Sequence, residues 1–223
     1  MGRYGPNEET DKPTGGTLKE LTDFIKIYDG VLAEELCQKI ITAFDSDDEF
    51  YLDSYTGTLG TPPENARTGY QNHRNAIELN CTKRAAVAPK WNGIMRVMNN
   101  HAAHLYKRYY NDLIKDGYPK ELLFKPVTLE QFRMHRYDPG THYYKQHIDS
   151  IEATSCKRML VLLYYLNTVD EGGETSFETI DLKVTPVQGR VCIAPTWFGY
   201  PHTAEMPISN PKYMIKTYIH YPG

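Results

Sequence analysis

Two stretches in the first half of the chain carry apolar residues at helical spacing. Between residues 33 and 44, and again between 91 and 113, apolar positions recur every three or four residues, which is the period of one helix face. Both stretches predict amphipathic helices, and the longer one is typical of a helix packed on a sheet. Residues 24–28 instead alternate and then meet the turn signal Asp29-Gly30, so a strand is expected there.

From Thr128 onward the pattern changes to short runs of β-branched, aromatic and aliphatic residues. Glycine or proline lies in nearly every gap between these runs, which is typical of a β-barrel or a double-sheet jelly roll. Helices followed by strands predict a mainly β domain (α+β), with the N-terminal helices packed on one face of the β-structure. The runs are residues 128–137, 159–166, 190–194 and 213–220.

Segments that lack a helical or strand-like hydrophobic pattern indicate the domain organisation. Residues 1–19 are mostly glycine, proline, threonine and charged residues, so we expect a disordered tail followed by a single domain over 20–223. Residues 51–70 contain five glycines or prolines and no strong period. A loop of that length inside a compact domain is usually functional or disordered.

Composition excludes several classes of protein. Hydrophobic residues make up 40% and charged residues 24%, which excludes a chain that is disordered throughout. With 25 basic and 28 acidic residues, no basic surplus points to nucleic acid. No apolar run approaches the roughly 18 residues of a membrane span, and no signal peptide is visible, so a cytoplasmic location is expected. The four cysteines form no CxxC pair and are expected to be reduced thiols.

The most informative local motif is His147-Ile148-Asp149. Residues i and i+2 of a strand point to the same face, so the imidazole and the carboxylate would project together. They are two of the three ligands of the facial triad that binds non-haem Fe(II). The motif alone is weak, but His202 can supply the third ligand if a barrel brings its strand next to this one.

A facial triad leaves three positions on an octahedral iron, which a bidentate 2-oxo acid and O₂ can fill. The far carboxylate of such an acid needs a cation. Lys212 lies ten residues beyond His202, and it shares strand parity with Met214 and Lys216. A buried lysine is costly unless it is paired, and a carboxylate would be its partner. For Lys216 the alternative interpretation is a solvated strand edge.

Residues 136–150, which contain the HxD motif, resemble the iron-binding segment of 2-oxoglutarate- and Fe(II)-dependent dioxygenases, and most closely the prolyl 4-hydroxylase branch. Residues 24–44 are similar to the strand and helix that open the domain in that branch. The resemblance implies a double-stranded β-helix (jelly roll, cupin-like) core. It continues in order along the chain through residues 163–167, 172–177, 186–189, His202 and Lys212.

The resemblance also implies a role for each matching residue. Arg67-Thr68 resembles the peptide-contacting segment of the prolyl hydroxylase lid, which would place residues 51–69 over the substrate, although Gly69 stands where that branch has serine. For the tyrosines the alternative interpretation is ordinary barrel core. The implied metal ligands are His147, Asp149 and His202, the cosubstrate-binding residues are Lys212, Tyr165, Tyr137 and Thr175, and the substrate-binding residues are Arg67, Tyr144 and Trp197.

These roles imply a dioxygenase that hydroxylates an unactivated C–H bond of a proline-containing peptide or protein, with succinate and CO₂ as coproducts. Fe(II), 2-oxoglutarate and O₂ would be required, with ascorbate as reductant. One alternative is a hydroxylase of lysine, a free amino acid or another small metabolite. The others are a non-catalytic cupin-like binding module, which the complete ligand set argues against, and a zinc hydrolase, which would not need Lys212 or Tyr165.

Overall fold

The computed structural model describes residues 20–47, 51–52, 74–123, 125 and 128–222. The expected N-terminal tail and residues 53–69 of the expected lid, including Arg67, lie outside the described residues. In the described part, no helix has the length and apolar character needed to cross a membrane. The four cysteines are free thiols, as expected, and Cys156 is the exposed one.

Two helices lie where the apolar spacing predicts them: α1 spans Glu34–Asp45 and the long α3 spans Pro89–Lys115. The short helix α2, Cys81–Ala85, was not predicted. Proline at the first position suits the start of α3, because the missing N–H would have no partner there. Three-residue and four-residue 3₁₀ turns lie at Leu21–Phe24, Lys120–Leu122 and Glu178–Ile180.

The remaining elements are strands, and all their pairings are antiparallel. The first expected strand begins two residues late, because Leu21–Phe24 is a 3₁₀ turn. The strands are β1 (Lys26–Tyr28), β2 (Tyr51–Leu52), β3 (Arg74–Asn75), β4 (Ile77–Asn80), β5 (Thr128–Leu129), β6 (Arg133–Tyr137), β7 (Tyr143–His147), β8 (Arg158–Tyr165), β9 (Thr175–Phe177), β10 (Leu182–Val184), β11 (Val191–Pro195), β12 (His202–Ala204) and β13 (Lys212–His220).

The strands form two sheets. The major sheet has the order β1-β11-β8-β13-β6-β4-β2, with β5 paired to β13, and the minor sheet has the order β10-β9-β12-β7-β3. Apart from the β9–β10 pair, strands that are neighbours in a sheet are not consecutive in the sequence, as in a jelly roll. The predicted mainly β fold with a jelly-roll core is confirmed.

The two faces of the major sheet have different partners. One face packs on α1 and α3 through residues such as Tyr164, Ile193 and Ile215, in the same cluster as Trp91. The other face is directed to the minor sheet, and its buried residues Tyr137, Tyr165, Met214 and Tyr218 share a second cluster with Phe177 and Ala204. The expected packing of the N-terminal helices on one face is confirmed, and the second face is left to build a site between the sheets.

Asp47, one residue beyond the cap of α1, joins the three helices. Its side chain is fully buried, and its two oxygens accept from Arg84 Nε in α2 and from Trp91 Nε1 in α3, each at 2.8 Å. A buried carboxylate of this kind stabilises the helix layer only while its donors remain paired.

Asp47→Ala should therefore lower the free energy of unfolding by about 3 kcal/mol, because it removes a buried carboxylate that accepts from both the half-buried Arg84 guanidinium and the buried Trp91 indole N–H. Urea denaturation followed by circular dichroism measures this change. Asp116→Ala is the matched control: its ion pair with Lys26 (2.7 Å) lies at the surface, and its removal should cost less than about 1 kcal/mol. Equal losses in the two variants would contradict a structural role for Asp47.

Candidate metal centre and its surroundings

Strands β7 and β12 bring the two histidines together. His147 ends β7 and His202 begins β12, and the two residues are paired across the minor sheet. Asp149 was expected on the same strand as His147. Instead β7 ends at His147, and Asp149 lies in the bend that follows, where the next amide, Ser150 N, donates to Thr196 O at 3.1 Å.

The three side chains nevertheless converge. Asp149 Oδ1 lies 3.8 Å from His147 Nε2, and Asp149 Oδ2 lies 3.5 Å from His202 Nε2. One ligand atom from each residue lies within 4.8 Å of the others. The two oxygen–nitrogen separations are below about 4 Å, the upper limit for two atoms that each lie about 2 Å from one metal ion.

Backbone carbonyls fix the orientation of both imidazoles. His147 Nδ1 is 2.8 Å from Lys145 O, and His202 Nδ1 is 3.1 Å from Tyr200 O. A carbonyl oxygen only accepts, so each Nδ1 carries the proton and each Nε2 presents its lone pair toward Asp149. Metal-binding histidines are oriented in this way by a second hydrogen bond.

The electrostatics favour the protonation states that bind a metal. Burial, together with the charge of His202, lowers the pKa of His147 well below its usual value, so the ring is neutral at physiological pH. Burial opposes ionisation of Asp149, but His202 and Lys216 nearby and a hydrogen bond from Tyr218 hold its pKa below the usual range. Neutral imidazole and ionised carboxylate are the ligand forms.

Asp149 is anchored by residues of the major sheet. Tyr218 Oη donates to Asp149 Oδ1 at 2.6 Å, and Arg158 Nη1 donates to the Asp149 carbonyl at 3.0 Å. Arg158 is itself held by Glu130, at 2.7 and 2.9 Å, and its guanidinium lies 4.0 Å from the centre of the Tyr218 ring. The carboxylate is therefore fixed although its segment has left the sheet.

One polar atom at this centre lacks a donor among the described residues. Asp149 Oδ2 is buried and accepts no hydrogen bond, a costly state for a charged oxygen. It faces His202 Nε2, so a cation bound between the two would satisfy it. This orphaned oxygen, with two oriented imidazoles, shows that the residues present fit a divalent metal ion.

Aromatic rings enclose the histidines. The ring of Tyr144 stacks on that of His147 with centroids 3.4 Å apart, and the ring of Phe177 lies 5.3 Å from that of His202. These contacts limit ring motion and access of water to the ligand atoms.

The residues expected to bind a cosubstrate lie together at the start of β13. Lys212 is completely buried, its Nζ donates to Gly173 O at 2.8 Å, and it lies 4.6 Å from the centre of the Tyr137 ring. Burial lowers the pKa of Lys212 to about 7, against the raising effect of Glu174 and Glu205. An anion that entered this pocket would restore its charge.

Tyr165 and Thr175 complete this pocket. Tyr165 Oη and Thr175 Oγ1 are 2.7 Å apart and buried, and Thr175 lies two residues beyond the Gly173 carbonyl that Lys212 contacts. Gly172 and Gly173 both have φ of +76°, and a Cβ on Gly172 would lie 2.6 Å from Met206 O. The two glycines thus form a tight turn beside the pocket that only glycine adopts without strain.

The two described residues that were expected to bind substrate, Tyr144 and Trp197, lie in different surroundings. Tyr144 lies on β7 against His147, at the metal centre. Trp197 lies between β11 and β12 with 38% of its surface exposed, and its ring packs edge-on against Tyr200 at 5.6 Å. Arg67 lies outside the described residues, so its expected contact with substrate stays a prediction.

A polar cavity of about 320 Å³ opens beside Asp149. It brings in charged residues that the sequence analysis did not single out, notably Arg74, Glu78 and Arg133. Its lining consists of Arg74, Glu78, Arg133, Tyr144, Ile148, Asp149, Ile151, Glu152, Thr154, Ser155, Arg158, Lys216 and Tyr218.

Among the site residues that the sequence analysis did not identify, Tyr218 could have been found from its position in the strand pattern. It shares strand parity with Lys212 and Lys216, so extending that parity by one more step places it on the same face. Arg158 and Glu78 carried none, because their contacts depend on which strands become neighbours.

Comparisons with known proteins agree with this geometry. Residues 132–220 match the model of the 2OG-Fe(II) oxygenase superfamily. No curated protein sequence matches the chain.

Several solved structures of prolyl hydroxylases have a similar fold. A viral collagen prolyl hydroxylase from Paramecium Bursaria Chlorella virus-1, in complex with 2OG, is 19% identical, with a TM-score of 0.60 over 89% of this chain and 97% of that one. A Trichoplax adhaerens prolyl hydroxylase in complex with a hypoxia inducible factor peptide fragment is 17% identical, with a TM-score of 0.64 over 89% and 84%. A Pseudomonas putida prolyl-4-hydroxylase is 17% identical, with a TM-score of 0.56 over 89% and 93%.

The matched segment contains the three converging side chains and the buried lysine. The family model and the metal-binding geometry thus identify Fe(II) and 2-oxoglutarate as the cofactor and the cosubstrate. Residues 132–220 thus match the 2OG-Fe(II) oxygenase superfamily and contain the metal-binding geometry of an Fe(II)- and 2-oxoglutarate-dependent dioxygenase. The chain has the fold of the similar prolyl hydroxylase structures.

Proposed function

We propose that the protein hydroxylates a prolyl residue of a peptide or protein, with succinate and CO₂ as coproducts and ascorbate as reductant. The observation that carries the proposal is the buried His147-Asp149-His202 cluster within a prolyl hydroxylase fold. A peptide substrate is supported by the Trichoplax relative, whose structure contains a bound peptide fragment.

In this proposal His147 and His202 hold the iron through Nε2, and Asp149 holds it through its carboxylate. Iron(II), with 2-oxoglutarate and O₂, supplies the oxidising power needed to break an unactivated C–H bond. Tyr218 keeps the carboxylate in place, while the rings of Tyr144 and Phe177 shield the imidazoles from water.

In this proposal 2-oxoglutarate binds in the pocket at the start of β13. Lys212 would pair with the far carboxylate of 2-oxoglutarate, replacing the carbonyl of Gly173 as its partner. The hydroxyl groups of Tyr165 and Thr175, which are hydrogen-bonded to each other in the structure, would contact the same carboxylate. The ring of Tyr137 would form one wall of the cosubstrate pocket. The cavity beside Asp149 is then the region left for substrate.

Succinate formation tests the function. The protein is supplied with Fe(II), 2-oxoglutarate and ascorbate and assayed against proline-containing peptides, free proline and free lysine, with mass spectrometry of the products. A gain of 16 Da on a peptidyl proline, as one oxygen atom is inserted, is the expected result. Hydroxylation of a free amino acid with no turnover of any peptide would contradict the peptide proposal and support a small-molecule hydroxylase.

Lys212→Ala should weaken 2-oxoglutarate binding by about tenfold or more, because losing a buried charge-assisted contact costs on the order of 2–5 kcal/mol. Calorimetric titration of 2-oxoglutarate into the Mn(II)-loaded protein measures this without turnover. Lys216→Ala is the comparison, since Lys216 lies on the same face of β13 two positions past Met214. A large effect of Lys216→Ala with none of Lys212→Ala would show that the cosubstrate lysine is misassigned.

The affinity for 2-oxoglutarate should also depend on pH. Lys212 has a lowered pKa of about 7, so below pH 7 it is already charged, and above pH 7 binding must first add a proton. The dissociation constant should therefore rise by up to about tenfold per pH unit above neutrality. Titrations at a series of pH values measure it, and Lys212→Arg, which stays charged, should flatten the profile. A profile unchanged by Lys212→Arg would assign the dependence to another group.

Tyr218→Phe should weaken Mn(II) binding by about 10- to 100-fold, because the ligand carboxylate loses the donor that orients it. Electron paramagnetic resonance of free Mn(II) measures the affinity in the absence of substrate. Tyr213→Phe is a matched control: Tyr213 lies on the opposite face of β13 and donates to Asp45 at 3.0 Å, far from the metal ligands. Equal affinities in the two variants would show that Tyr218 does not position Asp149.

A further inference from the structure

Three large apolar side chains are exposed on two loops next to the metal ligands. Ile151 lies two residues after Asp149 and is 68% exposed. Trp197 and Phe198, on the loop between β11 and β12 that ends at His202, are 38% and 85% exposed. Exposed apolar residues are common singly, but a group of them at the edge of a site is typical of a binding surface. Ile151, Trp197 and Phe198 are called here the apolar rim.

The two loops are joined beside the metal ligands. Ser150 N, next to Ile151, donates to Thr196 O, next to Trp197, at 3.1 Å. Ile151 also lines the polar cavity that opens beside Asp149, which is the region left for substrate. The apolar rim is therefore continuous with the proposed substrate region, and a peptide that leaves the cavity on this side meets these side chains.

Hydrogen bonds hold the loop that carries Trp197 and Phe198. Thr196 Oγ1 donates to Arg158 O at 2.7 Å, and Tyr200 N donates to Trp197 O at 3.0 Å. Tyr200 is buried, and its ring packs edge-on against that of Trp197 with centroids 5.6 Å apart. Because this backbone is already fixed, its exposed side chains can bind a ligand with little further loss of conformational entropy.

The loop that carries Ile151 is held by Ser155. The hydroxyl of Ser155 accepts from Ile151 N and from Glu152 N, each at 3.2 Å, and Ser150 Oγ donates to Ser155 O at 3.1 Å. Ser155 is buried, so water competes little for these hydrogen bonds. Both loops therefore present apolar side chains to solvent from an ordered backbone.

Trp197 also offers a hydrogen-bond donor. Within the part of the chain that the structure describes, its Nε1–H donates to no other residue. A backbone carbonyl of an extended peptide can accept from this group while the flat ring covers an apolar side chain of the same peptide.

The size of the apolar rim favours a peptide over a second copy of the chain. Its three side chains expose on the order of a few hundred Å², whereas a stable protein–protein interface buries about 800 Å² on each partner. One large apolar side chain, with the peptide backbone beside it, matches the smaller area.

We propose that the apolar rim binds a large apolar side chain of the substrate, a few residues from the target proline, with the indole of Trp197 donating to a neighbouring carbonyl. The proposal rests on the proposed function for the target proline. The surface itself is argued from the exposed side chains and from their place beside the cavity. Phe198 and Ile151 are specificity-determining residues, because they touch the flank of the substrate and not the reacting carbon.

A leucine scan locates the bound side chain. Labelled peptides of equal length contain one central proline in a background of serine and glycine, and a single leucine is moved through the positions on either side. Affinity is measured by fluorescence anisotropy with the protein loaded with Mn(II) and N-oxalylglycine, an unreactive analogue of 2-oxoglutarate. Leucine at one position, or at two neighbouring positions, should tighten binding about tenfold over the peptide without leucine. Equal affinity at every position overturns the proposal.

Intrinsic fluorescence tests whether the apolar rim is the surface that binds. The chain has two tryptophans, and Trp91 is completely buried, so Trp197 is the one that a peptide can cover. The unlabelled leucine peptide should shift the emission to shorter wavelength and protect it from acrylamide quenching. Trp197→Phe should remove this change and leave the emission of Trp91. An unchanged spectrum at saturating peptide places the binding elsewhere and overturns the proposal.

Variants of the apolar rim test its two other members. Ile151→Ser and Phe198→Ser should each reduce the leucine preference, and the double variant should abolish it. Leu122→Ser is the matched control: Leu122 is also 68% exposed but lies on the 3₁₀ turn after α3, so the preference should be unchanged. The affinity for N-oxalylglycine should be the same in every variant, because the rim lies outside the cosubstrate pocket. A preference that survives in the double variant overturns the proposal.

The rim and the prolyl hydroxylase function can fail separately. A leucine preference that depends on the rim, with no hydroxylated proline under Fe(II), 2-oxoglutarate and O₂, supports the binding surface and contradicts the prolyl hydroxylase proposal. Hydroxylation of the peptides with and without leucine at equal affinity supports that function and overturns the rim. Dimerisation of the free protein that Phe198→Ser abolishes, measured by sedimentation velocity, assigns the rim to a second copy of the chain and also overturns the proposal.

Discussion

A buried carboxylate held between two imidazoles is the constraint on which this site depends. Asp149 must stay ionised in a dry pocket, with one oxygen aimed at the space between His147 and His202. The minor sheet fixes the histidines by pairing β7 with β12, but it cannot fix Asp149, because β7 has already ended. Asp149 is held instead by two residues of the major sheet: the hydroxyl of Tyr218 donates to its carboxylate, and the guanidinium of Arg158 donates to its carbonyl.

Strand β13 is the element that links the parts of the site. It lies in the middle of the major sheet, paired with β8 and β6, so its backbone has little freedom to move. Its inward face carries Lys212 at the proposed cosubstrate pocket, Lys216 at the polar cavity beside Asp149, and Tyr218 at the Asp149 carboxylate itself. A rigid strand thus sets the distance between Lys212 and Tyr218, since each residue advances it by about 3.3 Å.

The opposite face of the same sheet explains the long N-terminal part of the chain. Residues that alternate with the functional ones, such as Ile215 and Ile219, are buried in the cluster with α1 and α3. A sheet with water on that face would expose its large apolar side chains, so the helices supply the layer that keeps the sheet folded. Polar chemistry between the sheets is tolerated because the stabilising apolar contacts lie mainly on the other side.

The amino-acid sequence alone determined the elements and the identity of the chemical groups. Periodicity predicted α1 and α3, the short punctuated runs predicted the β-rich half, and the HxD motif with His202 and Lys212 indicated the metal and cosubstrate residues. These are local patterns, or patterns whose order along the chain matches a known family. They need no knowledge of which strands become neighbours.

Only the tertiary structure decided how these groups are held and what surrounds them. Asp149 lies after the end of its strand, and the hydroxyl that orients it belongs to a residue 69 positions later in the chain. The pairing of Glu78 with His135, 57 positions apart, arises only because β4 and β6 are adjacent in the sheet. The register of the sheet brings such residues together. That register is set by the packing of the whole domain, not by the two residues that come into contact.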